Sequence, residues 1–356
     1  MDRTLKVIVL YNKLFHYRIP IWNILAQKCD LTVAYSFGNG DIPTDMPCNF
    51  KVLHLPANIY LGKIVIQKTN VRKLVKNYDA VIAYGNIAWL KYSTLPWFGN
   101  NKVIFHTIGV SASYEKKFDE DSTWDGITSF FYKRASAIVF YTDYPISKFK
   151  KLGIDGSKMF VAPNTVAVSP ILKDNKKNTI LFIGTIYRQK GLMNLCEVYQ
   201  NLRSEISLPI LNIVGNGPDF QYVKEWVEKN NLTELIRLLG PIYQISEKAL
   251  LFSKALACIS PCQAGLSVLE SMGYGVPYVT SKDAYTGGEL LNIRNEENGV
   301  LMESLEDLPV VIRDIALNPN KYIIMGNKAK AYYDECRKPE DMAEGLWQSV
   351  LYAVNH

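Results

Sequence analysis

Short apolar, β-branched runs recur along the first half of the chain, and each is followed by a stretch with helical spacing. Leu5–Leu10 is the first run, Ile19–Lys28 the first helical stretch, and Leu31–Tyr35 the next run. Ala80–Tyr84, Val103–His106 and Ala137–Tyr141 repeat the strand signal. The segments 62–77, 122–135 and 143–152 between them read as amphipathic helices. Strands separated by helices build βαβ units on a parallel sheet.

Punctuation follows at Pro163-Asn164, at Ser169-Pro170 and in the polar run Lys173–Asn178, and the alternation then restarts. Strands are expected at Thr179–Ile183, Ile210–Val214, Ile236–Leu239, Ala257–Ser260 and Pro277–Thr280, with helices between. In the helix after Lys190, Leu192, Leu195, Cys196, Tyr199 and Leu202 fall on one face. The expectation is α/β throughout: two Rossmann-like domains, 1–168 and 169–340, facing across a ligand-binding cleft. A terminal helix, 341–356, would pack back on the first domain.

The length of 356 residues fits two domains at ~150 residues each, and 48% hydrophobic residues exclude disorder. No stretch approaches the ~18 uncharged apolar residues of a membrane span, and no signal peptide is legible at the N-terminus. Six scattered cysteines and four histidines give no paired metal-ligand spacing, so free thiols in a reducing cytoplasm are expected. The net charge of +6 is uneven: residues 1–160 carry 21 Lys+Arg against 12 Asp+Glu, leaving 19 against 22 for the rest. A basic first half suits an anionic surface or ligand, or a simple coat of solvated lysines. Within it, Lys63–Lys76 reads as a basic amphipathic helix whose charged face could meet an anionic leaflet or merely water. No basic–aromatic pattern points to nucleic acid.

Three clusters in the second half carry candidate chemistry. In Ile259–Pro277 a strand ends, Gly265 opens a loop, and a helix starts at Leu266 and Ser267. Free amides at a helix start suit phosphate oxygens, and Gly265 lets a ligand approach the backbone. Glu270 near the same mouth could accept hydrogen bonds from a ribose diol, or could simply be a first-turn charge favoured by the helix dipole. In Phe182–Gly191, Arg188 and Lys190 follow a strand and glycine, as phosphate ligands or as solvated loop residues. Ile213–Phe220 begins like a dinucleotide fingerprint, but Phe220 replaces its third glycine, which leaves a close strand–helix turn and no NAD site.

In this order and spacing, the clusters resemble the GT-B glycosyltransferases of family 4, retaining enzymes that use nucleotide sugars. Gly184, Lys190 and Gly191 match the family's first motif; Gly215, Gly217 and Pro218 match its glycine-rich turn. Pro261, Gly265, Leu266, Glu270, Gly275 and Pro277 match its longest motif, followed by Glu289 and Asn298-Gly299. In the first half, Tyr17–Pro20, His106 and Lys158–Asn164 also resemble the family. The resemblance implies that Lys190, with the amides of Leu266 and Ser267, holds the donor diphosphate, and that Glu270 holds the ribose. Gly240, Pro241, Ile242 and Tyr243 would lie beside the base. His106 would be the catalytic-site histidine near the transferred sugar, or else a hydrogen-bonded near-core residue.

Two positions depart from the family. Thr185 stands where the family has arginine, so Arg188 would supply the second cation. Cys262 stands where a glutamate normally touches the donor sugar, and with Gln263 it would lie near that sugar. A thiol is a weak donor and acceptor, so either backbone amides take over that contact, the donor sugar differs at that hydroxyl, or activity is weak. Asp119-Glu120-Asp121 resembles a metal motif of another glycosyltransferase fold but sits in an acidic loop. No cofactor and no essential metal are therefore expected, with protein cations stabilising the leaving diphosphate. The expected function is sugar transfer from a nucleoside-diphosphate sugar to a glycan or lipid-linked glycan in polysaccharide biosynthesis, such as lipopolysaccharide or capsule. The expected location is the cytoplasm, peripheral on the cell membrane. The alternatives are a 2-epimerase-like or phosphorylase-like enzyme of the same fold, or a degenerate nucleotide-sugar binder.

Overall fold

The run Lys6–Tyr11 forms β1, with five of its six side chains buried. A strand covered on both faces needs apolar residues at nearly every position, so it appears in sequence as a run rather than an alternation. The computed structural model describes residues 3–37, 46–55, 58–98, 102–111, 118–119, 123–170 and 176–356. Glu120 and Asp121 of the acidic loop, and residues 173–175 of the polar run, lie outside them.

After β1, α1 (Ile19–Leu25) leads to β2 (Asp30–Tyr35) and β3 (Lys51–His54). A hairpin of β4 (Asn58–Leu61) and β5 (Ile64–Gln67) precedes α2 (Val71–Val75) and β6 (Ala80–Tyr84). Then come α3 (Leu90–Ser93), β7 (Lys102–Thr107), α4 (Thr123–Tyr132), β8 (Ala137–Phe140), α5 (Tyr144–Lys151) and β9 (Met159–Val161). Seven strands form one parallel sheet in the order β3-β2-β1-β6-β7-β8-β9. The chain winds outward in both directions from β1, which makes a switch point beside its C-terminal end.

The hairpin corrects the helix expected over 62–77. Ile64-Val65-Ile66 is a β-branched run, which favours an extended backbone. Gly62, at φ +59°, makes the turn that lets it pair with Asn58–Leu61. Only Val71–Val75 is helical, with the Asn70 side chain accepting from the Lys73 amide at its start.

The second unit repeats the plan. Its elements run β10 (Thr179–Ile183), α6 (Leu192–Leu202), β11 (Ile210–Val214), α7 (Phe220–Lys229), β12 (Ile236–Gly240), α8 (Ile245–Lys254) and β13 (Ala255–Ile259). They continue β14 (Gln263–Ala264), α9 (Ser267–Gly273), β15 (Tyr278–Ser281), β16 (Tyr285–Thr286), β17 (Gly299–Met302), α10 (Leu308–Leu317) and α11 (Pro319–Cys336). Six strands form a parallel sheet in the order β12-β11-β10-β13-β15-β17, and β14 pairs with β16 beside it. The switch point here lies at the C-terminal end of β10, between β11 and β13.

The chain divides into two compact units, Met1–Val110 with Asp121–Asn164 and Lys338–His356, and Ser111–Glu120 with Thr165–Arg337. The main crossover thus falls between Asn164 and Thr165, and the return between Arg337 and Lys338, a few residues before the 168/169 and 340/341 divisions read from sequence. The final helix, α12 (Pro339–Asn355), buries Met342, Ala343, Leu346, Val350 and Ala353 in the core of the first unit, against α1 and the sheet. Among the described residues, no helix is long and apolar enough to cross a membrane. All six cysteines are free thiols.

Candidate functional site

In the second unit, the expected residues gather at the switch point. β10 ends at Ile183, Gly184 follows, and the chain turns through a single 3-10 turn, Arg188–Lys190, into α6. Gly191 caps that turn in the left-handed region, at φ 73°. Lys190 folds back so that its ammonium lies against the Gly184 backbone, in space a Cβ at Gly184 would need. Its Nζ also stands 5.9 Å from the Phe182 ring centroid and 5.7 Å from that of Tyr187. Burial lowers its pKa to about 8, with proximity to Cys258 acting weakly the other way. Among the described residues no carboxylate pairs with Lys190. A half-buried cation without a counter-ion is costly, and that cost is offset when an anion binds. Arg188, three residues after Thr185, is exposed.

The loop after β13 closes over this turn. The Cys262 amide donates to the Lys190 carbonyl at 3.2 Å, and the Cys262 thiol packs on Gly191. Burial pushes the Cys262 thiol up, so it is held as a neutral thiol rather than a nucleophile. The Tyr187 hydroxyl donates to Gln263 Oε1 at 2.9 Å, fixing the Gln263 amide. A Cβ at Gly265 would meet nothing within 4 Å, so the backbone there borders open space. Leu266 precedes the first residue of α9, and the Val268 amide turns back to the Gly265 carbonyl at 2.9 Å. The amides of Leu266 and Ser267 stand ahead of that bond, at the helix mouth. Tyr278 pins the loop: its hydroxyl lies 2.8 Å from Ser267 Oγ and donates to the Gln263 carbonyl at 3.0 Å.

Glu270 is buried in the first turns of α9, and Lys248 of α8 donates to its Oε1 at 2.9 Å. The pair was not legible in sequence, because β13, β14 and their loops separate Lys248 from Glu270. Gly240, at φ 74°, ends β12, and its carbonyl accepts from the Gly215 amide at 2.9 Å. Pro241 and Tyr243 beyond it are exposed, while Ile242 packs on the core. The turn Gly215-Asn216-Gly217-Pro218 is a packing device. A Cβ at Gly215 would strike the Gly184 carbonyl, and one at Gly217 the Ile186 carbonyl. It thereby holds the loop that carries Lys190.

In the first unit, His106 sits one residue before the end of β7, beside Tyr84 of β6. It is fully buried, and among the described residues neither ring nitrogen has a hydrogen-bond partner. The ring of Tyr141 lies 4.7 Å away edge-on, and that of Tyr11 at 6.0 Å. The two tyrosine hydroxyls are 2.6 Å apart. Burial, then the Arg18 guanidinium, holds the imidazole well below its usual pKa, hence neutral. His106 is thus a core residue, but among the described residues not a hydrogen-bonded one, which is unusual for a buried imidazole.

Two parallel, doubly wound units of this order define the GT-B fold, and solved structures share it. The structure of Anabaena HepE in complex with UDP superposes with a TM-score of 0.73 at 15% identity, covering 98% of this chain and 100% of that one. A variant of S. aureus TarM in complex with fondaparinux, α-GlcNAc-glycerol and UDP gives 0.69 at 12% identity, covering 97% and 100%. Residues 167–332, just under half of the chain, match the family model of glycosyl transferases group 1. An uncharacterized glycosyltransferase of Haemophilus influenzae is 24% identical over 193 residues, 53% of each chain. The poly(glycerol-phosphate) alpha-glucosyltransferase of Bacillus subtilis is 25% identical over 174 residues, 47% of this chain and 25% of that protein. The chain thus spans about half, or less, of the curated relatives it matches.

Proposed function

We propose that the protein is a retaining glycosyltransferase that moves a sugar from a nucleoside-diphosphate sugar to a hydroxyl of a glycan or lipid-linked glycan. The observation that carries this reading is Lys190, a half-buried ammonium with no carboxylate partner among the described residues, held at the switch point of a group 1 domain. It would take the donor diphosphate together with the amides of Leu266 and Ser267, and Arg188 would add a second cation. Stabilising the departing diphosphate is the main chemical demand of the transfer, and these protein cations meet it without an essential metal. Transfer should therefore persist in excess chelator.

Glu270 would accept from the ribose hydroxyls, oriented by Lys248. Gly240, Pro241, Ile242 and Tyr243 would flank the base, and Cys262 and Gln263 the donor sugar. Neutral His106 carries one donor and one acceptor nitrogen, but it is fully buried, so it would meet the transferred sugar only after its neighbours move aside. UDP is the first nucleotide to test, because the HepE and TarM structures contain it. The second unit would bind the donor and the first the acceptor, at the inner face of a membrane.

The test is calorimetry with UDP and turnover of labelled donor by the native chain, Lys190→Ala and Glu270→Ala. Both variants should lose nucleotide binding and transfer while remaining folded. Unchanged affinity in both would sink the reading. Cys262 at the usual glutamate position motivates one rival, a non-catalytic nucleotide-sugar binder. Tight donor binding without transfer to any acceptor would favour it.

A further inference from the structure

Gln263 stands one residue beyond Cys262, and both its backbone and its side chain are tied down. Its backbone pairs with Tyr285 of β16, and the Tyr278 hydroxyl donates to its carbonyl at 3.0 Å. The Tyr187 hydroxyl donates to its Oε1 at 2.9 Å, which turns the amide oxygen towards Tyr187. Among the described residues nothing pairs with its Nε2, which stays open to solvent. The half-buried amide therefore presents N–H donors on its free side.

Tyr187 also ties this amide to the candidate diphosphate site. It precedes the Arg188–Lys190 turn, and the Lys190 Nζ stands 5.7 Å from its ring centroid. In a nucleotide sugar the hexose is bonded directly to the diphosphate. A side chain one tyrosine away from the diphosphate cation is therefore within reach of the hexose. The hydroxyls of a neutral sugar need acceptors as well as donors. Yet Phe182–Cys196 and Ile259–Leu269 carry Arg188 and Lys190, and neither Asp nor Glu. Burial keeps the Cys262 thiol neutral, and a thiol accepts weakly. Glu270, the next acid along the chain, is engaged by Lys248 at 2.9 Å. Donors and cations without a free carboxylate complement a group that only accepts and carries negative charge.

We propose that Gln263, positioned by Tyr187, selects a donor whose sugar bears a carboxylate, a nucleoside-diphosphate hexuronate. The Gln263 Nε2 donates to that carboxylate, and the charge of the Arg188–Lys190 turn favours it. This rests on the donor-site reading above and names the class of sugar that the site takes.

The experiment is calorimetry of the full chain, without acceptor, against UDP, UDP-glucose, UDP-N-acetylglucosamine and UDP-glucuronate. The native chain should bind UDP-glucuronate about tenfold more tightly than UDP-glucose. Gln263→Glu sets a carboxylate against that of the ligand and should reverse the ratio. Tyr187→Phe releases the amide and should bring the ratio towards one. Each ratio is taken within one variant, so a general loosening of the fold, which weakens UDP and every sugar nucleotide together, does not move it. UDP binding without a preference for glucuronate overturns this proposal and leaves the function proposed above standing. A preference that survives both substitutions overturns it too, and assigns the selection to the cations alone. Tightest binding of UDP-N-acetylglucosamine would put an amide carbonyl in place of the carboxylate and overturn the hexuronate. Binding of none of the four would sink the function proposed above, and this proposal with it.

Discussion

Lys190 titrates where an enzyme can be assayed. Its pKa, lowered to about 8 by burial, means that the free protein loses this cation as pH rises through 8. A bound diphosphate favours the ammonium, so binding draws in a proton above that pH. Nucleotide affinity should therefore fall by up to about tenfold per pH unit above about 8. Calorimetry from pH 7 to 9.5 checks this, and Lys190→Met should remove the slope. The sign for stability is opposite. The unfolded chain holds the proton more tightly than the folded one between about 8 and 10.5, so Lys190 destabilises the fold at neutral pH and less as pH rises. The melting temperature of Lys190→Met relative to native should be highest at neutral pH and converge towards pH 10.

Glu270 behaves differently because it already has a partner. Its oxygen lies 2.9 Å from Lys248 Nζ, with both side chains largely out of water. Lys248→Met strands a buried carboxylate and should cost roughly 2 kcal/mol of stability, read by urea titration. It should also weaken nucleotide binding, since Glu270 loses its orienting contact. Glu270→Gln should retain more stability than Glu270→Ala, because the amide oxygen still accepts from Lys248. Glu270 itself was legible in sequence from its distance to the helix start. Lys248 was not, because no local spacing encodes a contact between α8 and α9.

At the scale of elements, the turn between β11 and α7 decides whether the Lys190 loop is in place. Gly215, at φ 144°, adopts backbone that other residues rarely reach, and a Cβ on it or on Gly217 would collide with carbonyls of the neighbouring loop. Gly217→Ala should push Ile186 away, cost about 2–3 kcal/mol, and lower nucleotide affinity without touching ligand. Paired urea and UDP titrations of that variant separate the two effects. Normal affinity would mean the loop tolerates the shift. The strand–helix alternation around this turn was readable because each buried parallel strand is a continuous apolar run. The hairpin was not, since Ile64-Val65-Ile66 beside spaced lysines satisfies helical spacing as well as β propensity, and only Gly62 breaks the tie. Edge strand β3 escaped the reading for a related reason: Lys51–His54 is largely exposed and carries little apolar signal.

At the scale of the whole molecule, the two units differ in continuity. Nearly all of the second is one stretch, Thr165–Arg337, whose ends meet: the Thr165 hydroxyl donates to the Arg337 carbonyl. Nearby, the Tyr333 hydroxyl donates to the Val166 carbonyl at 2.7 Å. The first unit is assembled from distant parts of the chain and needs α12 to finish its core. Gly345 shows how closely that helix fits, because a Cβ there would run into the Val161 carbonyl. Removing α12 takes five buried apolar side chains out of the core and exposes the surfaces of α1 and the sheet beneath them. At about 1.5–3 kcal/mol for each larger apolar side chain, that loss rivals the 5–15 kcal/mol net stability of a whole domain. A chain ending at Arg337 should therefore lose the first unit and keep the second. Calorimetric melting should show one transition remaining, and UDP affinity within about twofold of native, as a self-contained nucleotide site requires. Residues 165–337 expressed alone should behave the same way. Loss of UDP binding in both truncated forms, with the second unit still folded, would mean that the first unit contributes directly to the nucleotide site.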